Sequence, residues 1–364
     1  VVFSDNAKYD LESTGEYTQG AGGGALLVRH NPRLVVIPDR WGVSTTPVHD
    51  FFKPRREVSI SSVITHVLQL ARETGATLKE GLAESMVKHL PESTVRRLGI
   101  FAHGEDSIKV HRDEPLFDGQ FSNRCYRDAV KQAFTHFRDK AISQGRYDPE
   151  LDEVLTEQWA RIIMHLPYAF QAKRMFPDVF RYDREHLPEW KEIEKLIGEE
   201  PLESDFGTIQ EWEIEMDSHR RAISKTESFK QFIEDRIEKG QRASSLIGNQ
   251  YTGSIFLALM STFEADYEEN ANLDYQMMGL CGYGSGAKAK VFEAEIQPTW
   301  REIASRWNLF ERLEGRMAID RETYEALHKG LATKSVITPK GEFALVDVGS
   351  EGTEEGMRTY SWVS

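Results

Sequence analysis

The sequence predicts a mixed α/β protein, and three stretches carry that expectation. Trp159-Ala160-Arg161-Ile162-Ile163 is an apolar run of strand length, and Gln171-Ala172-Lys173-Arg174-Met175-Phe176 soon after it opens a helix. Residues 122–142 set Tyr126, Val130, Phe134 and Phe137 on one stripe at helical spacing, the pattern of a long amphipathic helix. Residues 287–295 alternate as a strand does, directly after a glycine-rich stretch at 278–286.

Taken in order, residues 1–3 read as the middle of a buried strand, which needs neighbours on both sides. The chain opens without Met and without a signal-peptide pattern, so an N-terminal portion is expected ahead of Val1. A glycine-rich run at 17–24 precedes a strand at 25–28, the reverse of the dinucleotide fingerprint. This excludes a Rossmann or P-loop reading and leaves glycine to permit close approach between strands or subunits. His30-Asn31-Pro32-Arg33 is a turn and residues 34–37 a strand. Residues 41–54 read as irregular; His49-Asp50-Phe51-Phe52-Lys53-Pro54 there is either a wall of a binding site or a loop pinned by its own aromatics.

Helices are expected at 61–72 and 78–90, a strand at 99–102 and a turn at 117–120. The charged stretch 185–219 reads as solvated helices and loops without chemistry, and 226–239 as a helix. Gly248-Asn249-Gln250-Tyr251 precedes an apolar helix at 255–260. Asn249 there either aims its amide into a cleft, where a helix N-terminus favours oxyanionic groups, or caps the helix together with Ser254. Residues 341–349 and 358–363 read as a terminal hairpin.

With 364 residues the chain is long enough for one large domain or two ordinary ones, and 40% hydrophobic residues support a true core. No apolar run approaches bilayer length, so no membrane partner is expected. A net charge of −14 argues against non-specific nucleic-acid binding. Cys125 and Cys281 form no metal spacing and no disulfide framework, which fits a reducing cytoplasm and leaves no metal site to expect.

Met164-His165-Leu166-Pro167-Tyr168 places a histidine between a strand and a helix, where open α/β sheets gather ligands. It is either a packed histidine with one hydrogen bond or a group held at the floor of a cleft.

Several stretches, in this order, resemble the 3-hydroxy-3-methylglutaryl-CoA synthase family: Asp5-Asn6-Ala7-Lys8-Tyr9, Thr18-Gln19-Gly20-Ala21-Gly22, His49 to Pro54, and Phe117-Asp118-Gly119-Gln120-Phe121-Ser122-Asn123-Arg124-Cys125-Tyr126. His165-Leu166-Pro167-Tyr168, Gly248-Asn249-Gln250-Tyr251-Thr252 and Gly282-Tyr283-Gly284-Ser285-Gly286 continue the series. The resemblance runs from residue 1 to about residue 295 and includes the terminal strands; residues 57–113 have no counterpart and read as a helical insertion.

The resemblance implies a thiolase-like five-layer α-β-α-β-α fold, usually dimeric, with the N-terminal half incomplete here. Residues 1–114, with the insertion, would be the remainder of that half, and 115–364 the C-terminal half. It also implies the reaction of a hydroxymethylglutaryl-CoA synthase. Acetyl-CoA acylates a cysteine, the enolate of the acetyl group attacks acetoacetyl-CoA, and water releases the product. The substrates would be coenzyme A thioesters, with no cofactor. By motif position His165 would orient and polarise the acetoacetyl carbonyl, and Asn249, Ser285 and Tyr251 would line the acyl pocket. Asp50 and Asp5 would be supporting acids, and Thr18, Ser122, Pro167 and Tyr168 would line the substrate approach.

Two departures matter. The family's nucleophilic cysteine and acid/base glutamate lie ahead of the strand at which this chain begins, so activity is expected to need an N-terminal segment. Neither Cys125 nor Cys281 sits where the nucleophile belongs. The family lysine that follows the histidine motif is Phe170 here, leaving Lys173 or Arg174 to meet coenzyme A phosphates. Two other readings stay open: a relative that installs β-branches on carrier-protein-bound acetoacetyl groups, and a non-catalytic partner subunit with a condensing-enzyme fold.

Overall fold

The computed structural model describes residues 1–75, 107–111, 114–332 and 334–364. Two compact units emerge, Val1–Phe310 and Glu311–Ser364.

The first unit is built on a five-stranded mixed sheet. Its strands are β3 (Val35–Val36), β4 (Trp41–Thr45), β9 (Trp159–Met164), β10 (Met277–Gly284) and β11 (Lys288–Ile296). β10 runs parallel to β9 and antiparallel to β11, whose other edge pairs with β3 and β4. The long helix α2 (Gly119–Ser143) lies against this sheet and buries Tyr126, Val130, Phe134 and Phe137, the stripe expected from its spacing. Asp118 starts it, accepting the amides of Gln120 and Phe121 at 2.8 and 2.9 Å.

Short helices α3 (Gln171–Met175) and α4 (Pro177–Tyr182) follow β9, then α5 (Pro188–Ile197) and α6 (Ile209–Ile223) in the charged stretch. The helix expected over 226–239 is two helices, α7 (Glu227–Arg236) and α8 (Glu238–Ile247), because buried Ile237 leaves helical geometry at φ −122°. α9 (Ser254–Glu268) packs along β9. Among the described residues no helix is long and apolar enough to cross a membrane.

Several sequence expectations are corrected. The strand expected at 25–28 lies earlier: the glycines themselves form β2 (Gly20–Ala25), antiparallel to β1 (Val2–Ala7), while Leu27 and Val28 are exposed. β2 needs its glycines because it runs beside the 247–250 loop, where a Cβ on Gly20 would lie 2.6 Å from the Asn249 carbonyl oxygen. Among the described residues β1 pairs with β2 alone, and Val1 and Val2 are exposed rather than buried. The stretch 41–54 is not irregular throughout: β4 joins the main sheet, with the Trp41 and Phe292 rings stacked 4.0 Å apart, and β5 (Phe51–Phe52) pairs with β8 (Leu116–Phe117). The expected glycine loop at 278–286 is mostly strand β10, since Met278, Leu280 and Cys281 are buried in the sheet and only residues 285–287 turn.

Within the expected insertion, β6 (Arg55–Ser59) pairs with β7 (Ser107–His111) and is followed by α1 (Ile60–Glu73). The helix expected at 78–90 and the strand at 99–102 lie outside the described residues. The second unit holds a helix at Arg321–His328 and an antiparallel hairpin of Glu342–Val348 with Arg358–Val363.

Candidate active site

His165 follows β9, Tyr283 lies at the end of β10, and Ser285 follows it in the turn. Both groups therefore stand at the carboxyl ends of neighbouring parallel strands, the crevice position of α/β sheets. The His165 amide donates to the Cys281 carbonyl at 2.9 Å, and its own carbonyl accepts the Tyr126 hydroxyl at 2.8 Å. The rings of Tyr126 and Tyr283 have their centroids 6.3 and 6.5 Å from that of the imidazole, tilted against it. Burial lowers the His165 pKa from 6.5 to about 4, so the ring is neutral at neutral pH. A neutral imidazole donates at one nitrogen and accepts at the other, the equipment for orienting a carbonyl or passing a proton.

Asn249 arrives from the turn between α8 and α9. Gly248 ends α8 at φ +89°, and a Cβ there would lie 2.1 Å from the Gln19 carbonyl oxygen, so the residue must be glycine. The Asn249 amide then donates to the Thr18 carbonyl at 2.8 Å, locking the turn to the segment before β2. The Asn249 side chain is buried and its orientation is set by chemistry: Oδ1 accepts the Tyr251 amide at 2.7 Å and the Ser254 hydroxyl at 3.2 Å. Nδ2 is thereby turned to the Tyr9 hydroxyl, 3.2 Å away. Asn249 lines the cavity and braces the turn ahead of α9, but neither it nor Ser254 caps that helix, which starts after Gly253 without a side-chain cap bond. Tyr251 sits at φ +41°, a strained backbone for a bulky residue, held by that Oδ1 bond.

His165, Asn249, Ser285 and Tyr251 line one cavity of about 240 Å³, and Thr18, Ser122, Pro167 and Tyr168 line it too. Asp50 is fully buried just behind: it accepts the Tyr283 hydroxyl at 2.5 Å and the Gly286 amide at 2.8 Å, and so holds the turn that presents Ser285. Burial first, then this carboxylate, push the Tyr283 pKa up. Asp5 is not on the cavity wall; it lies close enough to Tyr251 to help keep that phenol protonated, after burial and Tyr9.

Of the two residues expected at coenzyme A, Arg174 borders the cavity and donates to the Tyr168 hydroxyl at 3.0 Å. Lys173 points elsewhere, into an adjoining groove, and pairs with Glu238 at 2.6 Å. Consecutive helical residues project about 100° apart, so one of the two had to leave the site. Both cysteines are free thiols. Burial pushes the Cys125 pKa up, with Asp50 and Asp128 adding to it, and burial raises Cys281 to about 12. The thiolate is the nucleophilic form, so neither is activated. Among the described residues no cluster of His, Cys, Asp and Glu could hold a metal ion.

Sequence reading missed much of the wall. The Tyr9, Phe51 and Phe117 rings pack at 5.3 to 6.4 Å from one another, and Phe51 meets Tyr251 at 5.8 Å. Phe51 had a signal in its loop with Asp50. Tyr126 and Tyr283 lie within stretches that carry the resemblance, yet sequence reading does not single them out, because a helical stripe and a glycine-rich stretch hide a cavity-facing ring.

The profile described as the hydroxymethylglutaryl-coenzyme A synthase C terminal matches residues 109–344. The chain belongs to that family. The hydroxymethylglutaryl-CoA synthase of Haloferax volcanii is 23% identical over 355 residues, covering 96% of this chain and 65% of the relative. That of Saccharomyces cerevisiae is 25% identical over 272 residues, covering 70% of this chain and 51% of the relative. Among solved structures, MvaS in complex with 3-hydroxy-3-methylglutaryl coenzyme A is similar at a TM-score of 0.66 and 24% identity, over 100% of this chain and 66% of that one. The curacin biosynthetic pathway HMG synthase in complex with acetyl donor-ACP is similar at a TM-score of 0.61 and 17% identity, with the same coverage. The fold is therefore thiolase-like, as the resemblance implied, and the chain spans about half to two thirds of the length of these synthases.

Proposed function

We propose that this chain forms the acyl-acceptor side of a hydroxymethylglutaryl-CoA synthase. The observation that carries the reading is the convergence of His165, Asn249 and Ser285, up to 120 positions apart in sequence (285 − 165), on one aromatic-walled cavity. In the reaction, a cysteine thiolate takes the acetyl group of acetyl-CoA and CoA leaves. A base removes an α-proton of the acetyl-cysteine. The resulting carbanion forms a carbon–carbon bond to the ketone carbon of acetoacetyl-CoA, whose oxygen takes up a proton. Water then cleaves the enzyme thioester and yields hydroxymethylglutaryl-CoA. Neutral His165 holds the acetoacetyl ketone and supplies a hydrogen bond to its developing oxyanion. Asn249 and Ser285 position the acyl chain, while Asp50 keeps the Ser285 turn in register.

In this reading the nucleophile and the acid/base glutamate belong to the N-terminal segment, and burial, which raises the pKa of Cys125 and of Cys281, makes either a poor nucleophile. Arg174 at the cavity edge is the coenzyme A contact; no cofactor enters the scheme. The division into halves at 114/115, a homodimer and a cytoplasmic setting complete the reading, the last supported by two free cysteines. The test is acetyl transfer with acetyl-CoA and acetoacetyl-CoA. The 364-residue chain alone should give no acetyl-cysteine by mass spectrometry, and adding the N-terminal segment should restore turnover. Acetylation of Cys125 or Cys281 would contradict the assignment.

A second reading keeps the chemistry and replaces one CoA by a carrier protein. It is favoured by Arg124, Lys173, Arg221 and Lys225 in the groove that shares Asn123 and Arg174 with the cavity. Acidic neighbours such as Glu213 and Glu238 pair with Arg124 and Lys173 there, so the groove is mixed in charge rather than basic, and CoA stands first. Competition between CoA-bound and carrier-bound acetoacetyl groups separates the two.

A further inference from the structure

Gln171, the first residue of α3, is 2% exposed, yet it lines the cavity. Its Nε2 donates to Asn123 Oδ1 at 3.1 Å, and its backbone amide donates to the Tyr168 carbonyl at 3.1 Å, so the backbone and the side-chain amide nitrogen are each tied. Its Oε1 has no hydrogen-bond partner among the described residues. A buried amide oxygen left unpaired carries a real free-energy cost, which a bound donor relieves.

The position says what donor to expect. Asn123, its partner, borders both the acyl cavity and the larger charged groove beside it, and so does Arg174 one turn along α3. Gln171 therefore stands at the neck between a cavity suited to an acyl group and a groove suited to charged groups. An acyl thioester on a pantetheine arm has this same order: acyl group, neutral arm with two secondary amides, then phosphate.

We infer that Gln171 is a specificity-determining residue, whose Oε1 accepts an amide N–H of the pantetheine arm as it passes the Gln171–Asn123 neck. Resting on the thioester-binding reading above, this adds a recognition point for the arm, separate from the acyl group. A neutral acceptor fits a neutral amide and gives no help to a simple alkyl thioester. A site built around a hydrogen bond discriminates against the analogue that lacks it.

The test is calorimetric binding of the 364-residue chain to three probes: S-acetoacetyl-pantetheine, its analogue N-methylated at the amide nearest sulfur, and S-acetoacetyl-butanethiol. The wild-type chain should bind the first about tenfold more tightly than the N-methyl analogue, the scale of one buried hydrogen bond. Gln171→Met, similar in length but without the amide, should lose that preference while keeping its affinity for the butanethiol ester. Equal binding of the first two probes by the wild type would overturn the inference without any variant having to fold. An unchanged preference in Gln171→Met would do the same. If the butanethiol ester binds but the amide confers no preference, only the role of Gln171 falls. If no probe binds, the thioester reading falls with it.

Discussion

Asp50 accepts the hydroxyl of Tyr283 at 2.5 Å across 233 positions of sequence, and the bond joins the loop after β4 to the end of β10. The other carboxylate oxygen takes the Gly286 amide, so a single buried charge sets the turn that carries Ser285. Asp50→Ala leaves a phenol and a backbone amide without their acceptor. It should cost about 3 kcal/mol in urea unfolding, from two charge-assisted bonds partly replaced by water. Asp50→Asn, which keeps one acceptor oxygen, should cost about half as much. Equal stability of all three proteins would remove Asp50 from its supporting role.

His165 makes a pH prediction. The unfolded chain titrates this histidine near 6.5 and the folded chain near 4, so between those values the unfolded state binds more protons. Its contribution to stability is complete above 6.5 and is lost as pH falls toward 4. Urea melts across that window should show the wild type losing stability relative to His165→Gln, with no such divergence above pH 7. A ring titration near 6.5 in the folded protein, followed by NMR, would contradict the burial argument.

Asn249 allows folding and chemistry to be separated. Asn249→Asp keeps the oxygen that holds the Tyr251 amide but loses the Nδ2 donor, so it should fold with stability within about 1 kcal/mol of wild type. In the enzyme assembled with the N-terminal segment it should lower kcat about 100-fold, the scale of a lost positioning donor. Asn249→Ala should lose both stability and turnover. Wild-type turnover in Asn249→Asp would show that the amide nitrogen does no work at the acyl group.

The cysteines should be slow to alkylate. Cys281, with its pKa raised to about 12, should resist iodoacetamide at pH 7.5 over a time in which the urea-unfolded chain is fully labelled, and Cys125 should react more slowly than an unfolded thiol. Rapid labelling of either in the native chain would reopen the question of the nucleophile.

How much of this was legible beforehand follows from which forces are local. The α2 stripe and the β9-to-α3 passage were readable because apolar period and element length are written in neighbouring residues. The glycine runs misled. Whether Gly20 to Gly24 form a loop or a strand depends on the 247–250 turn, which lies far off in sequence and demands a strand without Cβ atoms. Gly282 and Gly284 likewise take strand geometry because β11 pairs with them, at Lys290 and Lys288. At the site, residues that occur in short motifs were found, including His165, Asn249 and Ser285. Of the residues that serve it by long-range contact, Asp50 was found and others were not. Tyr126 supports the His165 carbonyl from a helix 39 positions away, and Gln171 gains its meaning only beside Asn123. Lys173 and Arg174 were indistinguishable by type, and the helical turn alone decides which of them reaches the cavity.

The most direct test of the central claim is a crystal structure of the chain with acetoacetyl-CoA. The acetoacetyl group should occupy the cavity, with its ketone oxygen about 3 Å from the His165 ring and its chain against Asn249 and Ser285. A ligand bound elsewhere, or a cavity left without the acyl group at saturating concentration, would contradict the assignment.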